Sequence, residues 1–572
     1  MELSLDKLAG LYEHSPWIAE QALARGPFKS LAAFKRACAE LLEAAGREAQ
    51  LALLRAHPEL VGKAGLSTSM LTDESSREQR SAGLQHCSAE QFARLQQLNR
   101  DYNARFGWPF ILAVRGPRGT GLSRTQIIET FERRLHAHPD SEFQECLRQI
   151  HRIAELRLAD ALGEALAEGE QVWDWAEQLA RHSDTPEHLT VTYATPAHRA
   201  CAADLQRWML ACGFDSAEVD AVGNVVGRYR GEGEGERAQW LLTGSHFDTV
   251  RNAGKYDGRL GVLAPMAAVQ RLNGRRLPVG LELVAFAEEE GQRFPATFLA
   301  SSALTGGFRP EWLEQRDAEG LTMREAMQAA GLPGTLEAIA ALRRDPARYL
   351  GFVEIHIEQG PVLDAALQPL GIVTSINGSH RYLGELRGQA SHAGTTPMDL
   401  RRDALLGLAE LALVVEGEAG RLGGVGTVGI AEVPNGSINV VPGRCRFSLD
   451  LRAPSDATRD ALRDAVLGAL QDIAARRGLQ VQLQATVAAR AAPSHPDWQA
   501  RWEAAVQRLG LPLHRLVSGA GHDAMQLHEI LPQAMLFVRG GNGGISHNPL
   551  ESITAHDAQL CVDAFAQLWE SL

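Results

Sequence analysis

Two patterns of hydrophobic spacing divide the chain. Up to about residue 165, apolar side chains recur at the helical period. Leu31, Phe34, Cys38, Leu41, Leu42 and Ala45 fall on one face of a helix predicted over 28–45. Ser88, followed three residues later by Gln91, has the form of a capping box. The helix behind it carries Phe92, Leu95, Leu98, Tyr102 and Phe106. Another helix is predicted over 143–162 through Leu147, Ile150, Ala154 and Leu158. A polar loop rich in Ser, Glu and Gln separates the earlier helices near 66–82, and strand-like runs are nearly absent.

After about residue 190 the pattern changes. Thr195-Pro196 opens a helix, with Thr as the cap and Pro in the first position. Short apolar runs at 240–243, 281–286, 352–357 and 534–538 end in polar, Gly-rich turns and alternate with helical stretches, which predicts an α/β sheet. Between about 377 and 490 the alternation breaks. Runs at 382–386, 426–430 and 445–451 flank helices predicted at 400–416 and 455–476, the order of an inserted α+β unit. The Gly-Glu-Gly-Glu-Gly of 231–235 is a solvated turn between strands; with no βα unit ahead of it, it is not a phosphate loop. The expected organisation is an all-α helical domain over 1–168, an α/β domain from 175–376 together with 491–572, and an inserted α+β domain over 377–490.

Composition narrows the class of molecule. The 572 residues are 45% hydrophobic and 22% charged, an ordinary globular balance that excludes disorder, collagen and a coiled-coil rod. At roughly 150 residues per domain, this length suits about four units, or three with one large. Lys+Arg number 57 against 70 Asp+Glu, a formal charge of -13 that argues against nucleic-acid and anionic-membrane partners. The seven Cys are scattered without a CxxC pair, which suits a reducing compartment. The opening Met-Glu-Leu-Ser-Leu-Asp-Lys lacks the order of a secretory signal, and no apolar run approaches the ~18 residues that span a bilayer. A soluble, cytoplasmic protein is expected.

Candidate chemistry gathers at strand ends in the second half: Gly244-Ser-His246-Phe-Asp248 with Asp257, then Glu289-Glu290, then Glu354-Ile-His356-Ile-Glu-Gln359, then His547 with Glu551. In an open α/β sheet, ligands bind beyond the carboxyl ends of the strands. Three His with several carboxylates form a donor mixture suited to Zn²⁺ or Mn²⁺. A lone His would more often be a hydrogen-bonded core residue, and consecutive acids a solvated turn; the combination carries the signal.

Six strings extend the match: Asp220-Ala-Val-Gly-Asn224, Gly244-Ser-His-Phe-Asp-Thr-Val250, Tyr256-Asp-Gly-Arg-Leu-Gly-Val262, Glu289-Glu-Gly-Gln-Arg-Phe294, His356-Ile-Glu-Gln-Gly-Pro361 and Ser391-His-Ala-Gly-Thr-Thr-Pro397. With them, residues ~190–572 resemble the metal-dependent aminoacylase/carboxypeptidase family, in its branch of allantoate amidohydrolases and N-carbamoyl-L-amino-acid hydrolases. Ala253, where Gly is commoner, and Gln292 depart from the pattern without removing a functional group. The resemblance implies two divalent ions, zinc or manganese. Asp257 bridges them, with His246 and His356 on one ion and Glu290 and His547 on the other. Asp248 orients His246 from behind, and Glu289 is left as general base. Gln359, His392, Asn439, Arg452 and the Gly519-Ala-Gly521-His522 loop hold the substrate, Arg452 suiting a carboxylate by its planar fork. The inserted unit is the family's dimerising lid, so a homodimer is implied.

In the helical part, Glu13-His-Ser-Pro-Trp17 and Arg55-Ala-His57-Pro-Glu59-Leu60 put imidazoles beside Pro, at helix edges. Taken alone, His57 reads as a capping or surface residue. Together with Ser75, Glu78, Trp108-Pro-Phe110-Ile111 and Arg157, these strings make residues ~5–165 resemble the decarboxylase of 2-oxo-4-hydroxy-4-carboxy-5-ureidoimidazoline (OHCU). The resemblance implies His57 as acid/base assisted by Glu78. Ser75, Arg157 and the Phe110 and Ile111 backbone bind the substrate, with Arg152 a competitor for the Arg157 role, and no cofactor is needed.

The combined expectation is a bifunctional enzyme of purine breakdown. It decarboxylates OHCU to (S)-allantoin and hydrolyses allantoate with release of ammonia and CO₂; these steps are not consecutive. The alternative is an N-carbamoyl-L-amino-acid hydrolase with a catalytically silent helical oligomerisation domain. Either way the partners are small ureides and a second copy of the chain, not nucleic acid or membrane.

Overall fold

The computed structural model describes residues 8, 10–28, 31–60, 87–115, 122–162, 168–233 and 239–572. It falls into two compact units, Met1–Gly371 with Trp502–Leu513 and Leu536–Leu572, and Ile372–Arg501 with His514–Met535.

The first unit opens with helices α1 (Trp17–Ala24), α2 (Leu31–Ala44), α3 (Gly46–Ala56), α4 (Ala89–Phe106), α5 (Arg124–Leu135) and α6 (Pro139–Leu162). Ser88 and Gln91 cap α4 reciprocally at 3.1 Å each, and Gly107 ends it in the left-handed region at φ 79°. Helix α6 begins four residues before the expected Phe143. Pro139 suits the first helical position, and Asp140 and Glu142 favour the positive end of the helix dipole. The apolar faces meet in a core that includes Leu53, Leu54, Leu98, Tyr102, Phe131, Phe143 and Ile150. Arg134 and Glu142 are buried inside it, 4% and 1% exposed. Their 2.6 Å pair compensates charges that would be costly to bury singly. The polar loop expected near 66–82 lies outside the described residues.

Helix α7 (Glu168–Leu179) leads to the α/β part, where α8 (Pro196–Cys212) starts under the predicted Thr195 cap. Strands β1 (Ser216–Val219), β2 (Val225–Tyr229), β3 (Trp240–His246), β4 (Gly280–Phe286) and β5 (Tyr349–Ile357) form the order β1-β2-β4-β3-β5. Strand β3 pairs in parallel with both β4 and β5, and helix α9 (Arg259–Leu272) packs on β3 and β5. All seven residues of β4 are buried, as in a sheet covered on both faces. The predicted runs at 240–243, 281–286 and 352–357 are therefore strands, and each delivers its last residues to the same carboxyl end of the sheet.

The second unit has its own antiparallel sheet, from β7 (Gly378–Arg387), β9 (Val425–Thr427), β10 (Ala431–Glu432), β12 (Arg444–Ala453) and β13 (Gln480–Ala489), numbered after β6 (Leu370–Ile376), β8 (Ser391–His392) and β11 (Val440–Val441). Helices α10 (Ala404–Leu422) and α11 (Asp456–Arg477) bury Leu408, Leu411, Val415, Leu462, Val466 and Leu470 in a core shared with Phe447, Leu449 and Leu451. The strand predicted at 426–430 is interrupted. Thr427 pairs with Asp450 and Ala431 with Phe447, four residue steps against three, so the ladder breaks. There the Ser448 hydroxyl accepts the Ile430 N–H at 3.0 Å. A helical N-terminal region followed by an α/β hydrolase-type domain with a separate sheet agrees with the expected class.

Gly244 is the tightest point of β3. Its φ is 150°, and a Cβ there would stand 1.9 Å from the Val284 carbonyl oxygen of β4. Gly244→Ala is expected to lower the apparent Tm by ~6 °C or more. An unchanged melting curve would contradict this packing.

Candidate functional site

Strand β3 ends at His246, and two residues on the chain turns at Asp248. The His246 Nδ1 lies 3.1 Å from the Asp248 carbonyl oxygen and 3.3 Å from its carboxylate. On β5, His356 Nδ1 lies 2.9 Å from the Ile357 carbonyl oxygen. A carbonyl can only accept, so both rings carry their N–H on Nδ1 and turn Nε2 inward. The His356 Nε2 accepts the Gly258 N–H at 3.1 Å, which shows its lone pair to be available there.

Asp257 is the centre of the cluster and is 3% exposed. Its Oδ1 stands 3.7 Å from His246 Nε2 and 3.3 Å from His356 Nε2, and its Oδ2 stands 3.1 Å from His547 Nε2. His547 is also 3.4 Å from Glu290 Oε1. Among the described residues of the first unit, three donor groups converge, each with ligand atoms within 4.8 Å of one another: His246, Asp257 and His356; Asp257, Glu290 and His547; and His246, Glu289 and Glu290. The first two share Asp257.

Electrostatics marks the pocket as short of positive charge. Burial, reinforced by Asp257, raises Glu290 to about 7, and the same causes raise Glu551 to about 7. Burial also pushes Glu288 well above the carboxylate range. Burial opposes charge on Asp257 too, yet three imidazoles hold it well below its ordinary value. Against burial, the carboxylates of Asp248 and Asp257 lift His246 well above its usual range. Divalent cations would relieve this crowding, so the donor set fits them.

Several side chains hold the donors in place. Asp248 accepts the backbone N–H of Glu289 at 3.1 Å and of Glu290 at 3.2 Å, so it fixes the acidic turn as well as His246. Gly258, at φ 66°, lets the chain pass His246, since a Cβ there would lie 2.4 Å from the imidazole ring. Glu551 is a functional residue that sequence reasoning left without a role. It accepts the N–H of Tyr256 at 2.8 Å and of Asp257 at 3.1 Å, and the Ser546 hydroxyl at 2.7 Å. Its closeness to His547 was the available signal. Gln359, in the left-handed region at φ 58°, places its amide nitrogen 3.1 Å from both Asp257 oxygens.

The other expected substrate contacts lie in the second unit. His392 on β8 is exposed and pairs in register with Val440 of β11, which brings Asn439 beside it. Asn439 Oδ1 accepts from the Ser437 hydroxyl at 2.9 Å. Arg452 has its fork on Asp450, at 3.0 and 2.7 Å, and its remaining nitrogen donates to the Gly519 carbonyl. Gly521 precedes His522, whose Nε2 lies 2.9 Å from the Ser518 hydroxyl.

In the helical part, His57 caps the end of α3 just before Pro58, as its neighbour implied, but it is buried rather than exposed. Its Nε2 has no hydrogen-bond partner among the described residues. Burial lowers it to about 4; Glu13 pulls upward, Arg157 and His14 downward. Arg157 donates to Glu13 and to the Gly10 carbonyl, each at 3.0 Å. Arg152 instead faces Glu170 at 3.5 Å, so Arg157 is the arginine of the His57 cluster. Glu13 was quoted in its motif but given no role. Phe110 stacks on Phe131 at 3.9 Å, and the Ile111 carbonyl accepts from Arg134 at 2.8 Å, which anchors that backbone. Ser75 and Glu78 lie outside the described residues.

Residues 2–159 match the family model of OHCU decarboxylase, and residues 235–571 that of peptidase family M20/M25/M40. The N-carbamoyl-L-amino acid amidohydrolase of Geobacillus stearothermophilus is 38% identical over 71% of this chain and 99% of its own. The allantoate deiminase of Arabidopsis thaliana is 36% identical over 69% of this chain and 80% of its own. A crystal structure of an amidase of the hydantoinase/carbamoylase family from Burkholderia multivorans is similar at TM-score 0.65 and 32% identity, covering 71% of this chain and 98% of that one.

A depressed His57 should stay neutral from pH 8 to about 5.5, as its imidazole NMR resonances would report; a midpoint near 6.5 would contradict its burial. By linkage, its stabilising contribution is complete above pH 6.5 and is lost as pH falls towards 4.

Proposed function

The chain belongs to peptidase family M20/M25/M40 and carries an OHCU decarboxylase domain ahead of it, and on that premise we propose a bifunctional enzyme of ureide breakdown. In this reading residues 1–168 decarboxylate OHCU to (S)-allantoin. Residues 175–376 with 491–572 hydrolyse allantoate with release of ammonia and CO₂, and the insert at 377–490 forms a dimerising lid. The observation that carries the hydrolytic half is the sharing of Asp257 between two donor groups. His246, His356 and Asp257 would hold one divalent cation, and Glu290, His547 and Asp257 the other, zinc or manganese in either case. When bound, such a pair polarises the attacked carbon and ionises water near neutral pH.

The remaining steps belong to the chain's own side chains. Glu289 takes the proton of the attacking water and returns it to the departing nitrogen. Asp248 keeps that carboxylate in place through the Glu289 and Glu290 amides. Arg452, His392, Asn439, Gln359 and the Gly519, Gly521 and His522 loop receive the substrate's carboxylate and ureido groups, with Arg452 exchanging Asp450 for the ligand. The exposed Leu405, Leu406 and Leu413 of α10, the last 69% exposed, support a homodimer through the inserted unit. Among the described residues no helix is long and apolar enough to cross a membrane, and the cysteines are free, which supports a cytoplasmic setting.

In the decarboxylase half, neutral His57 supplies or removes a proton at Nε2, with Glu78 assisting. Ser75, Arg157 and the Phe110 and Ile111 backbone orient the carboxylate and ureido groups, and Glu13 holds Arg157 in place. The charge left by CO₂ is delocalised in the substrate's own ring, so no cofactor is required. The Geobacillus relative favours N-carbamoyl-L-amino acids as the second reading, because they offer the same carboxylate and ureido nitrogen; steady-state rates on both substrates separate the two. The decarboxylase domain tips the choice to allantoate.

Glu289→Gln is expected to cut ammonia release from allantoate by ~100-fold or more at unchanged metal content. A full rate would contradict the base assignment. His57→Ala should lower decarboxylation of OHCU by ~50-fold while ammonia release stays within about twofold. If decarboxylation persisted, the helical domain would not act through His57.

A further inference from the structure

Helix α6 serves both halves of the first unit. Arg157 on it faces the His57 cluster. Arg148 lies nine residues earlier, about two and a half turns, and therefore on the opposite face. That face meets the loop between β3 and α9. Arg148 Nη1 donates to the Tyr256 hydroxyl at 3.3 Å, and Nη2 pairs with Glu145. Glu145 accepts from Lys255 Nζ at 3.0 Å. On its other side Lys255 is held by Glu177 of α7 at 2.7 and 2.8 Å. The Arg148 guanidinium lies 5.7 Å from the Trp173 ring and 5.8 Å from the Tyr256 ring.

The loop residues so gripped, Lys255 and Tyr256, immediately precede Asp257. Glu551 already holds the Tyr256 and Asp257 amides from within the hydrolase part. The side chains before Asp257 are fixed from the other direction, by the helical part. Tyr256 is fully buried, so the Arg148 hydrogen bond to its hydroxyl has no water to replace it, and its loss is taken up by a shift of the ring and of the backbone next to Asp257. Glu145, Arg148, Lys255 and Glu177 form one ion-pair network at low exposure, and Arg133 adds a further positive charge beside Glu177 and Lys255. Removal of Arg148 takes the guanidinium from Glu145, which is then left to Lys255 and Gln149.

We propose that Arg148, acting with Glu145, is a positioning residue for the metal centre: α6 sets the Lys255–Tyr256–Asp257 segment, so retention of metal by the hydrolase depends on the domain fused ahead of it. The proposal rests on the metal-centre reading above. By reciprocity, metal binding then stabilises the seating of α6.

The test is calorimetric titration of the chelator-stripped full chain with Mn²⁺ and with Zn²⁺, together with the visible spectrum of the Co²⁺-loaded chain. Arg148→Met should weaken metal binding ~10-fold and shift the cobalt spectrum. Tyr256→Phe should weaken it ~3-fold, and Arg148→Lys, which keeps the charge beside Glu145, should recover part of the loss. If both Arg148→Met and Tyr256→Phe bind within twofold of the unaltered chain with the same spectrum, the proposal is overturned. If Arg148→Met does not fold, Tyr256→Phe decides alone. An unaltered chain that binds no metal overturns instead the reading on which the proposal rests.

Discussion

A buried carboxylate among three imidazoles is the constraint on which the hydrolase half depends. Asp257 is itself almost fully buried, and an isolated charge there would be costly. His246, His356 and His547 compensate it, but Glu288, Glu289, Glu290 and Glu551 are packed into the same region and raise the demand for positive charge again. The fold meets the geometric part of that demand with rigid elements. His246 and His356 sit at the ends of parallel strands and are oriented by backbone carbonyls, and Gly258 lets the loop pass within contact of an imidazole ring. The electrostatic part of that demand is one that divalent cations would meet.

Much of this arrangement is legible in the chain's own pattern. Short apolar runs that end in polar, Gly-rich turns point to buried strands that deliver polar groups to the carboxyl end of a sheet, and β3, β4 and β5 are such strands. The caps at Ser88 and Thr195 were equally legible, because a side chain that accepts a nearby backbone N–H leaves a local signature. What escaped was information that is not local. Glu551 acts on residues nearly three hundred positions away, and no spacing rule connects them. Strand β13 alternates at Val481, Leu483 and Val487, yet Gln, Ala and Thr fill its other positions and the register shifts between Ala485 and Val487, so no continuous apolar run marks it. The break near Ile430 depends on the count of residues in β12, which the run itself does not contain.

In the helical half the sequence located a histidine but misjudged its surroundings. A His before Pro at a helix end is ordinarily exposed, whereas His57 is enclosed, with the Glu13 and Arg157 pair acting on its charge. Burial depends on how α3 packs against its neighbours, and a single helix end says nothing of that. The environment favours a neutral imidazole at physiological pH, the state in which a nitrogen can accept as well as donate a proton. One helix, α6, carries Arg157 on one face and Arg148 on the other, so the His57 cluster and the loop ahead of Asp257 share a rigid element.

The central claim is that Asp257 is shared by two cations, and anomalous diffraction from crystals of the metal-reconstituted chain tests it most directly. The account predicts two peaks less than about 4 Å apart, with His246 and His356 on one, Glu290 and His547 on the other, and Asp257 touching both. A map with no peak among these side chains, or with a single ion that Asp257 does not contact, would contradict it.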